Sequence, residues 1–355
     1  MSTDTAIYQK LIGHRAQIEM AEASFSSGKM HHAWLLTGPT GIGKSLFARH
    51  LAAAIISYND DQSALFGDKP AFSLSLDDTD PIVRQVLQNA HPDFLYISPL
   101  ESDKNKSGDI KIEQIRALTP FFSHKSASAG WRVAIIDNLD NVNVQGANAM
   151  LKMVEEPPEK TVILLLAKSA GRVLPTIRSR CREVKFEALS AADSTQILTQ
   201  FLPDADQTAL HDLAIFSGGS IGYALQVAQT DVLDLYEATC RILAKPQADK
   251  NSLLDVSGKW GGARSKALLP IAISAFTNLL SNAALKAANQ PLPAKLLSCE
   301  QALIDEMASQ ATSHEISTLY SEVEMRLNTG ARAYLDMPSV FMAVFDKIHS
   351  ITHKN

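Results

Sequence analysis

The stretch Gly38-Pro39-Thr40-Gly41-Ile42-Gly43-Lys44-Ser45 decides the fold, because it matches the phosphate-binding pattern G-x-x-x-x-G-K-[ST]. In that pattern the glycines let backbone N–H groups surround a phosphate, the lysine reaches the phosphate oxygens and the hydroxyl ligates Mg²⁺. The pattern indicates a phosphate site only where it lies between a strand and a helix. Residues 33–36 are apolar and predict a buried strand, whereas residues 46–56 carry apolar side chains on one side and predict a helix. We therefore predict a nucleotide site at this loop; a glycine-rich turn without a ligand is the alternative.

A second chemical signal is the apolar run 132–136, which ends in Asp137. A carboxylate at this place holds Mg²⁺ beside the phosphates, so Ser45 and Asp137 are the predicted Mg²⁺ ligands. ATPases of this layout carry a Glu next, as the general base for the attacking water, and here that place holds Asn138. An amide cannot take the proton, and a positioned base contributes roughly 10²–10⁴-fold. We expect bound ATP or ADP with Mg²⁺ and little hydrolysis, with nearby Asp140 as the alternative base.

The composition of the chain limits its class. A chain of 355 residues is longer than a single hydrophobic core usually supports, so more than one domain is expected. A composition of 46% hydrophobic and 20% charged residues is typical of a globular protein. The net charge of −5 argues against general binding to DNA, but residues 168–185 are locally basic and face a partner's nucleotide, the DNA backbone or solvent. Cys181, Cys240 and Cys299 are widely spaced, which indicates a reducing cytoplasm and no zinc site. The first residues have neither the basic nor the apolar region of a signal peptide, so none is expected, and no apolar run approaches the length of a membrane span.

The pattern along the chain predicts an α/β domain followed by all-α segments. Residues 1–187 hold short apolar runs separated by helical segments, which predicts a parallel sheet covered on both faces. Residues 188–230 predict a small helical lid, and residues 231–355, rich in Ala and Leu with prolines between helices, predict a helical bundle. The five predicted strands are 34–36, 94–97, 132–136, 161–167 and 183–186. Polar segments at 59–80 and 98–109 are predicted as surface loops.

Several motifs together resemble the clamp-loader branch of the AAA+ ATPases, over about residues 8–230. The resemblance implies an AAA+ phosphate-loop domain, a lid and a C-terminal collar that assembles with other subunits. It also implies a role in loading a sliding clamp on DNA. The most specific part is the run N-A-x-L-K-x-x-E-E-P-P followed by S-R-C. The motifs are Leu11–His14, His31–Ala33, the phosphate loop, Ala147–Lys152, Glu155–Pro158 and Thr176–Cys181.

Within that family, three departures favour a subunit that does not hydrolyse ATP over the hydrolysing gamma/tau type. Asn138 replaces the base, and Gly222 stands where hydrolysing relatives place an Arg that touches the γ-phosphate. The third is the segment 58–92, which lacks the four cysteines of the zinc module that many relatives insert there, so we expect no zinc. A possible structural role for bound ATP or ADP remains, since the phosphate loop is intact.

The resemblance implies a catalytic role for Arg180. In the family, the Arg of Ser-Arg-Cys enters the neighbouring subunit's nucleotide site as an arginine finger in trans, and Arg178 is the second candidate for the interface. A surface Arg in a basic stretch is the alternative. Relatives also imply that Lys168 or Ser169 senses the γ-phosphate and that Leu11–His14 lines the adenine pocket, although an ordinary turn is equally compatible with the latter.

The resemblance thus implies a clamp-loader subunit of the bacterial DNA polymerase III holoenzyme, a nucleotidyltransferase complex, with little or no ATPase activity of its own. Its implied partners are the gamma/tau and delta subunits and, through the complex, the sliding clamp and primer–template DNA. A cytoplasmic location and no membrane partner are expected. The main alternative is a self-sufficient AAA+ ATPase of the gamma/tau type, and a small-molecule kinase is a remote third.

Overall fold

The computed structural model describes residues 11–58, 71–99, 110–123, 130–262, 265–292 and 295–354. The chain divides into two compact units, Met1–Asp193 and Ser194–Asn355. Most of the predicted polar loops, namely residues 59–70 and 100–109, lies outside the described residues. The finer division of the second part into a lid and a collar stays a prediction.

The first unit contains the predicted parallel sheet, with five strands in the order β2-β3-β4-β1-β5. The strand β1, which precedes the phosphate loop, is fully buried and pairs with β4 and β5. The edge strand β5 begins one residue earlier than predicted, because its mixed polar sequence offers no apolar run to define its ends. The strands are β1 (Ala33–Thr37), β2 (Phe94–Ile97), β3 (Arg132–Ile136), β4 (Thr161–Ala167) and β5 (Arg182–Lys185).

Helices cover both faces of this sheet, because alternate strand residues point to opposite faces. Trp34 and Leu36 of β1 pack with Phe47 on one face, whereas Leu35 packs with Met150 on the other. The helices of this unit are α1 (Arg15–Ser26), α2 (Lys44–Ser57), α3 (Pro81–Leu87), α4 (Ile112–Arg116), α5 (Leu118–Ser123), α6 (Val144–Glu155) and α7 (Pro175–Arg178).

Residues 112–123 form two short helices, α4 and α5, separated at Ala117. Pro120 explains the break, because its ring lacks an N–H and clashes with the carbonyl four residues before it, that of Arg116.

The second unit is helical and has a hydrophobic core of its own, in which Trp260, Phe276, Phe341 and Phe345 are fully buried. A side-chain cap precedes α8, since the Ser190 Oγ accepts the Asp193 N–H at 3.0 Å. The helices are α8 (Ala191–Phe201), α9 (Gln207–Phe216), α10 (Ile221–Ala228), α11 (Val232–Leu243), α12 (Lys250–Gly261), α13 (Ser265–Ala287), α14 (Ser298–Gln310), α15 (Ser313–Arg332) and α16 (Met337–Thr352).

One prediction for this unit was wrong: Pro270 lies inside α13 and does not separate two helices. It stands near the helix start, where it removes a single backbone hydrogen bond, to the carbonyl of Lys266. Most of α13, Lys266–Ala287, is long and apolar enough to cross a membrane by length and composition. Leu279, Leu280 and Ala283 of this helix are fully buried within the unit, as in the core helix of a globular protein.

Candidate nucleotide site and interface arginine

The phosphate loop lies between β1 and α2, as the sequence predicts. Gly38 has φ 147°, and a Cβ there would lie 2.4 Å from the carbonyl oxygen of Phe186, so this position accepts only glycine. Gly43 has φ 103° and is the N-cap of α2, which starts at Lys44. The loop therefore ends at a helix N-terminus, where unpaired N–H groups and the helix dipole favour an anion.

A cleft of about 300 Å³ opens beside this loop, at the lower end of the volumes that small-molecule sites have. The structure brings residues from three strand ends together here, because parallel strands present their carboxyl ends at one edge of the sheet. The lining residues are Thr40, Gly41, Gly43, Lys44, Ser45, Leu46, Asp137, Asn138, Leu166, Ala167 and Lys168.

Lys44 is 8% exposed, and its Nζ donates to the carbonyl oxygens of Gly38 and Pro39, each at 2.6 Å. An ammonium has three N–H donors, so two bonds within the loop are compatible with a third to a phosphate oxygen. Burial lowers the pKa of Lys44, while Asp137 and Asp140 act in the opposite direction. The loop geometry, the lysine and the helix N-terminus together fit a nucleotide phosphate.

The two predicted Mg²⁺ ligands are joined through a residue that the sequence pattern did not single out. The Tyr96 hydroxyl donates to Asp137 Oδ2 at 2.6 Å and lies 3.1 Å from Ser45 Oγ. Because the one phenolic proton goes to Asp137, the Ser45 hydroxyl donates to the Tyr96 oxygen. Hydroxyl and carboxylate oxygens are the ligands that Mg²⁺ prefers, so Ser45 and Asp137 fit the ion.

Asn138 directly follows Asp137 and lines the cleft, in the left-handed conformation with φ 65° and ψ 55°. Asp140, the alternative base, does not line the cleft. Its Oδ2 accepts the backbone N–H of Lys168 at 2.7 Å, so it connects the ends of β3 and β4. This position favours a structural role for Asp140 over a role as base.

Of the two candidate sensor residues at the end of β4, Lys168 lines the cleft, whereas Ser169 does not and precedes the short 3₁₀ helix Ala170–Arg172.

The two ends of the segment Leu11–His14 lie at different sites in the structure. His14 reaches the phosphate loop, since its Nε2 lies 2.7 Å from the Ile42 carbonyl oxygen, and its ring packs edge-on against Phe186. Burial lowers the pKa of His14, which keeps the ring neutral and lets Nε2–H donate to that carbonyl. Leu11 instead lines a separate cleft with Leu74.

Arg180 lies on the turn between α7 and β5 and does not line the cleft of its own chain. Its guanidinium donates to the Thr176 carbonyl at 2.9 Å and to Ser179 Oγ at 3.2 Å. It also pairs with Glu155 Oε1 at 2.9 Å, the two side chains being 40% and 44% exposed. Glu155 is the last residue of α6, and the sequence motif Glu155–Pro158 did not predict this contact. Exposed ion pairs of this kind contribute about 0–1 kcal/mol.

The order of the sheet, the loop after β1 and Asp137 at the end of β3 define a P-loop domain of the AAA+ class. Comparison with known proteins then gives the family. Residues 13–190, half of the chain, match the family described as DNA polymerase III, delta subunit, and the chain belongs to that family.

Its curated relatives include subunits named delta' of DNA polymerase III. The one from Pseudomonas aeruginosa is 35% identical over 189 residues, or 53% of each chain, and the one from Escherichia coli is 28% identical over 68% of each chain. The chain thus spans about half the length of the first of these relatives. A DNA polymerase III gamma subunit-related protein from Thermotoga maritima superposes with a TM-score of 0.41 at 17% identity, over 95% of this chain and 99% of its own.

Proposed function

We propose that the chain is a delta-prime-type subunit of a DNA polymerase III clamp loader. In this proposal it binds ATP or ADP with Mg²⁺ without hydrolysing it, and donates Arg180 to the ATP site of a neighbouring gamma/tau subunit. Its partners are the gamma/tau and delta subunits and, through the complex, the sliding clamp and primer–template DNA. The names of its relatives support this assignment.

The residue that follows Asp137 supports the lack of hydrolysis. Asn138 lines the cleft where the base would stand, and an amide cannot accept the proton of water. Gly222, in α10, offers no guanidinium for a γ-phosphate. Ser45, Lys44 and Asp137 still supply what binding requires.

The observation that carries the proposed trans role is the exposure of Arg180 outside its own cleft. An exposed ion pair with Glu155 holds the guanidinium in place but contributes little energy, so a partner's triphosphate can replace Glu155. A planar guanidinium that is always charged suits the charge that develops on the γ-phosphoryl group.

The test is clamp-stimulated ATP hydrolysis by a loader reconstituted with Arg180→Ala. Arginine fingers contribute about 10³–10⁵-fold in measured systems, so turnover at the neighbouring site should nearly disappear, and clamp loading with it. Arg172→Ala removes an exposed arginine from the same segment and is the matched control, while Arg178→Ala tests the second candidate. Undiminished hydrolysis and loading with Arg180→Ala would refute the trans role.

The nucleotide part of the proposal has its own test on the purified chain. ADP and ATP should bind without sustained turnover, and Lys44→Ala should abolish that binding. Turnover that disappears in Lys44→Ala would instead indicate a self-sufficient ATPase. If neither nucleotide binds, the loop has kept the phosphate-binding sequence but has lost the ability to bind nucleotide.

A further inference from the structure

Tyr96 lies beside the cleft, and the phosphate-loop pattern does not single it out. It lies on β2, and its hydroxyl contacts both residues that fit Mg²⁺, Ser45 and Asp137. The bond to Asp137, at 2.6 Å, is short, as expected when the acceptor is charged.

The ring of Tyr96 is held in this position from its face. The guanidinium carbon of Arg49 lies 3.8 Å from the ring centroid, within cation–π distance. Arg49 is itself buried, and it donates to Asn89 Oδ1 at 2.7 Å and to the Leu87 carbonyl at 3.3 Å. A swing of the ring away from Ser45 and Asp137 would break this packing.

The hydroxyl and a Mg²⁺ ion need the same oxygens. Mg²⁺ lies at about 2.0–2.1 Å from its ligands and tolerates little deviation from octahedral geometry. An ion that ligates Ser45 Oγ and Asp137 Oδ2 would meet the Tyr96 hydroxyl, which already contacts both of these atoms. It would have to replace a hydrogen bond to a charged carboxylate.

From this geometry we propose that Tyr96 competes with Mg²⁺ for Ser45 and Asp137, so that this chain binds nucleotide with little dependence on Mg²⁺. The inference deepens the proposed function: it rests on the nucleotide-binding part and limits the contribution that the proposal gives to Mg²⁺. In this inference, the phosphate loop and Lys44 provide most of the affinity for nucleotide. Mg²⁺ chemistry at the γ-phosphate is correspondingly weak, in agreement with Asn138.

The experiment measures the dissociation constant of ADP by calorimetry, in EDTA and at saturating Mg²⁺, for the full chain and for Tyr96→Phe. Phe keeps the ring under Arg49 and removes only the hydroxyl. We expect a ratio of the two constants near one for the unchanged chain. In Tyr96→Phe, Mg²⁺ should strengthen ADP binding about tenfold, which equals about 1.4 kcal/mol and matches one hydrogen bond to a charged group.

Two variants serve as comparisons. Tyr58→Phe removes a phenol that packs against Phe25 and Phe72 elsewhere in the unit, and it should leave the ratio unchanged. Tyr96→Leu also lacks the hydroxyl and provides the same test if the Phe variant does not fold.

The outcomes separate this inference from the proposed function. If ADP binds with the same Mg²⁺ dependence in the unchanged chain and in Tyr96→Phe, the inference is refuted and the proposed function stands. If neither protein binds ADP under either condition, both the inference and the nucleotide part of the proposed function are refuted. The role of Arg180 is then decided by the reconstituted loader alone.

Discussion

Asn138 has a backbone conformation that suits an Asn better than the Glu of hydrolysing relatives. Its φ of 65° and ψ of 55° lie in the left-handed region, which Asn populates more readily than Glu. We predict that Asn138→Glu lowers the free energy of unfolding by about 1 kcal/mol, at the lower end of the cost of such strain. We also predict that it restores no more than slow hydrolysis. Urea unfolding and steady-state ATPase assays measure both quantities.

Glycine at the same position provides the control for this prediction. Asn138→Gly also removes the amide but adopts positive φ without strain, so its stability should equal or exceed that of the unchanged chain. A Glu variant that is fully stable and turns over ATP rapidly would contradict the backbone argument.

His14 connects stability to pH at the phosphate loop. Its pKa is lowered by burial, so the folded chain prefers the neutral ring, and the stabilisation is present above the unfolded pKa of about 6.5. It is lost as the pH falls through the lower, folded pKa. We predict that His14→Asn, which tolerates the φ of 50° at this position, shows a shallower loss of stability between pH 6.5 and 5. The difference in slope is at most one proton, about 1.4 kcal/mol per pH unit.

Urea unfolding at several pH values measures these slopes. His91→Gln removes another histidine whose pKa burial lowers, so by the same argument it should make the loss of stability shallower and serves as a positive control. Equal slopes for the His14 variant and the unchanged chain would contradict the prediction.

At the scale of one element, α12 contains two glycines with opposite surroundings. A Cβ on Gly261 would lie 2.2 Å from the backbone nitrogen of Pro338, at the start of α16, whereas a Cβ on Gly258 would meet nothing within 4 Å. We predict that Gly258→Ala raises the free energy of unfolding by about 0.5–1 kcal/mol, through helix propensity. Gly261→Ala should lower it by about 1–3 kcal/mol, because backbone atoms must move.

Denaturation of the two single variants tests this pair directly, since each is the control for the other. Equal effects in the two variants would mean that the approach of α12 to α16 is looser than the structure shows.

The elements that were predicted well are those with a clear local pattern. β1 and β4 are buried along their whole length and read as continuous apolar runs, so their positions follow from the sequence alone. β5 was shifted by a residue because only Val184 of its residues is buried. Tyr96 and Glu155 were missed for another reason. Tyr96 contacts Asp137 and Ser45, which lie 41 and 51 positions away in the sequence. Glu155 contacts Arg180, which lies on a different element. No local sequence pattern encodes such pairs.

At the scale of the whole molecule, the two units have separate hydrophobic cores, and residues of the first form the cleft beside the phosphate loop. We predict that ADP at 100 times its dissociation constant slows hydrogen exchange in the sheet and α2 of the intact chain. Protection should rise by about 2.7 kcal/mol where exchange requires unfolding of the first unit. Residues 221–228, which carry Gly222, should change little.

Lys44→Ala is the control, since it should remove the effect of ADP everywhere. Protection that extends through α10 would show that this helix takes part in binding despite Gly222.

The cysteine of Ser-Arg-Cys has a practical consequence for anyone who wishes to attach fluorescent probes. Burial raises the pKa of Cys181 to about 12, and maleimides react with thiolates. At neutral pH, Cys181 should therefore remain unlabelled while a cysteine engineered on an exposed loop reacts. Probes placed near the turn of Arg180 would then report on subunit docking without first replacing the native residue beside it.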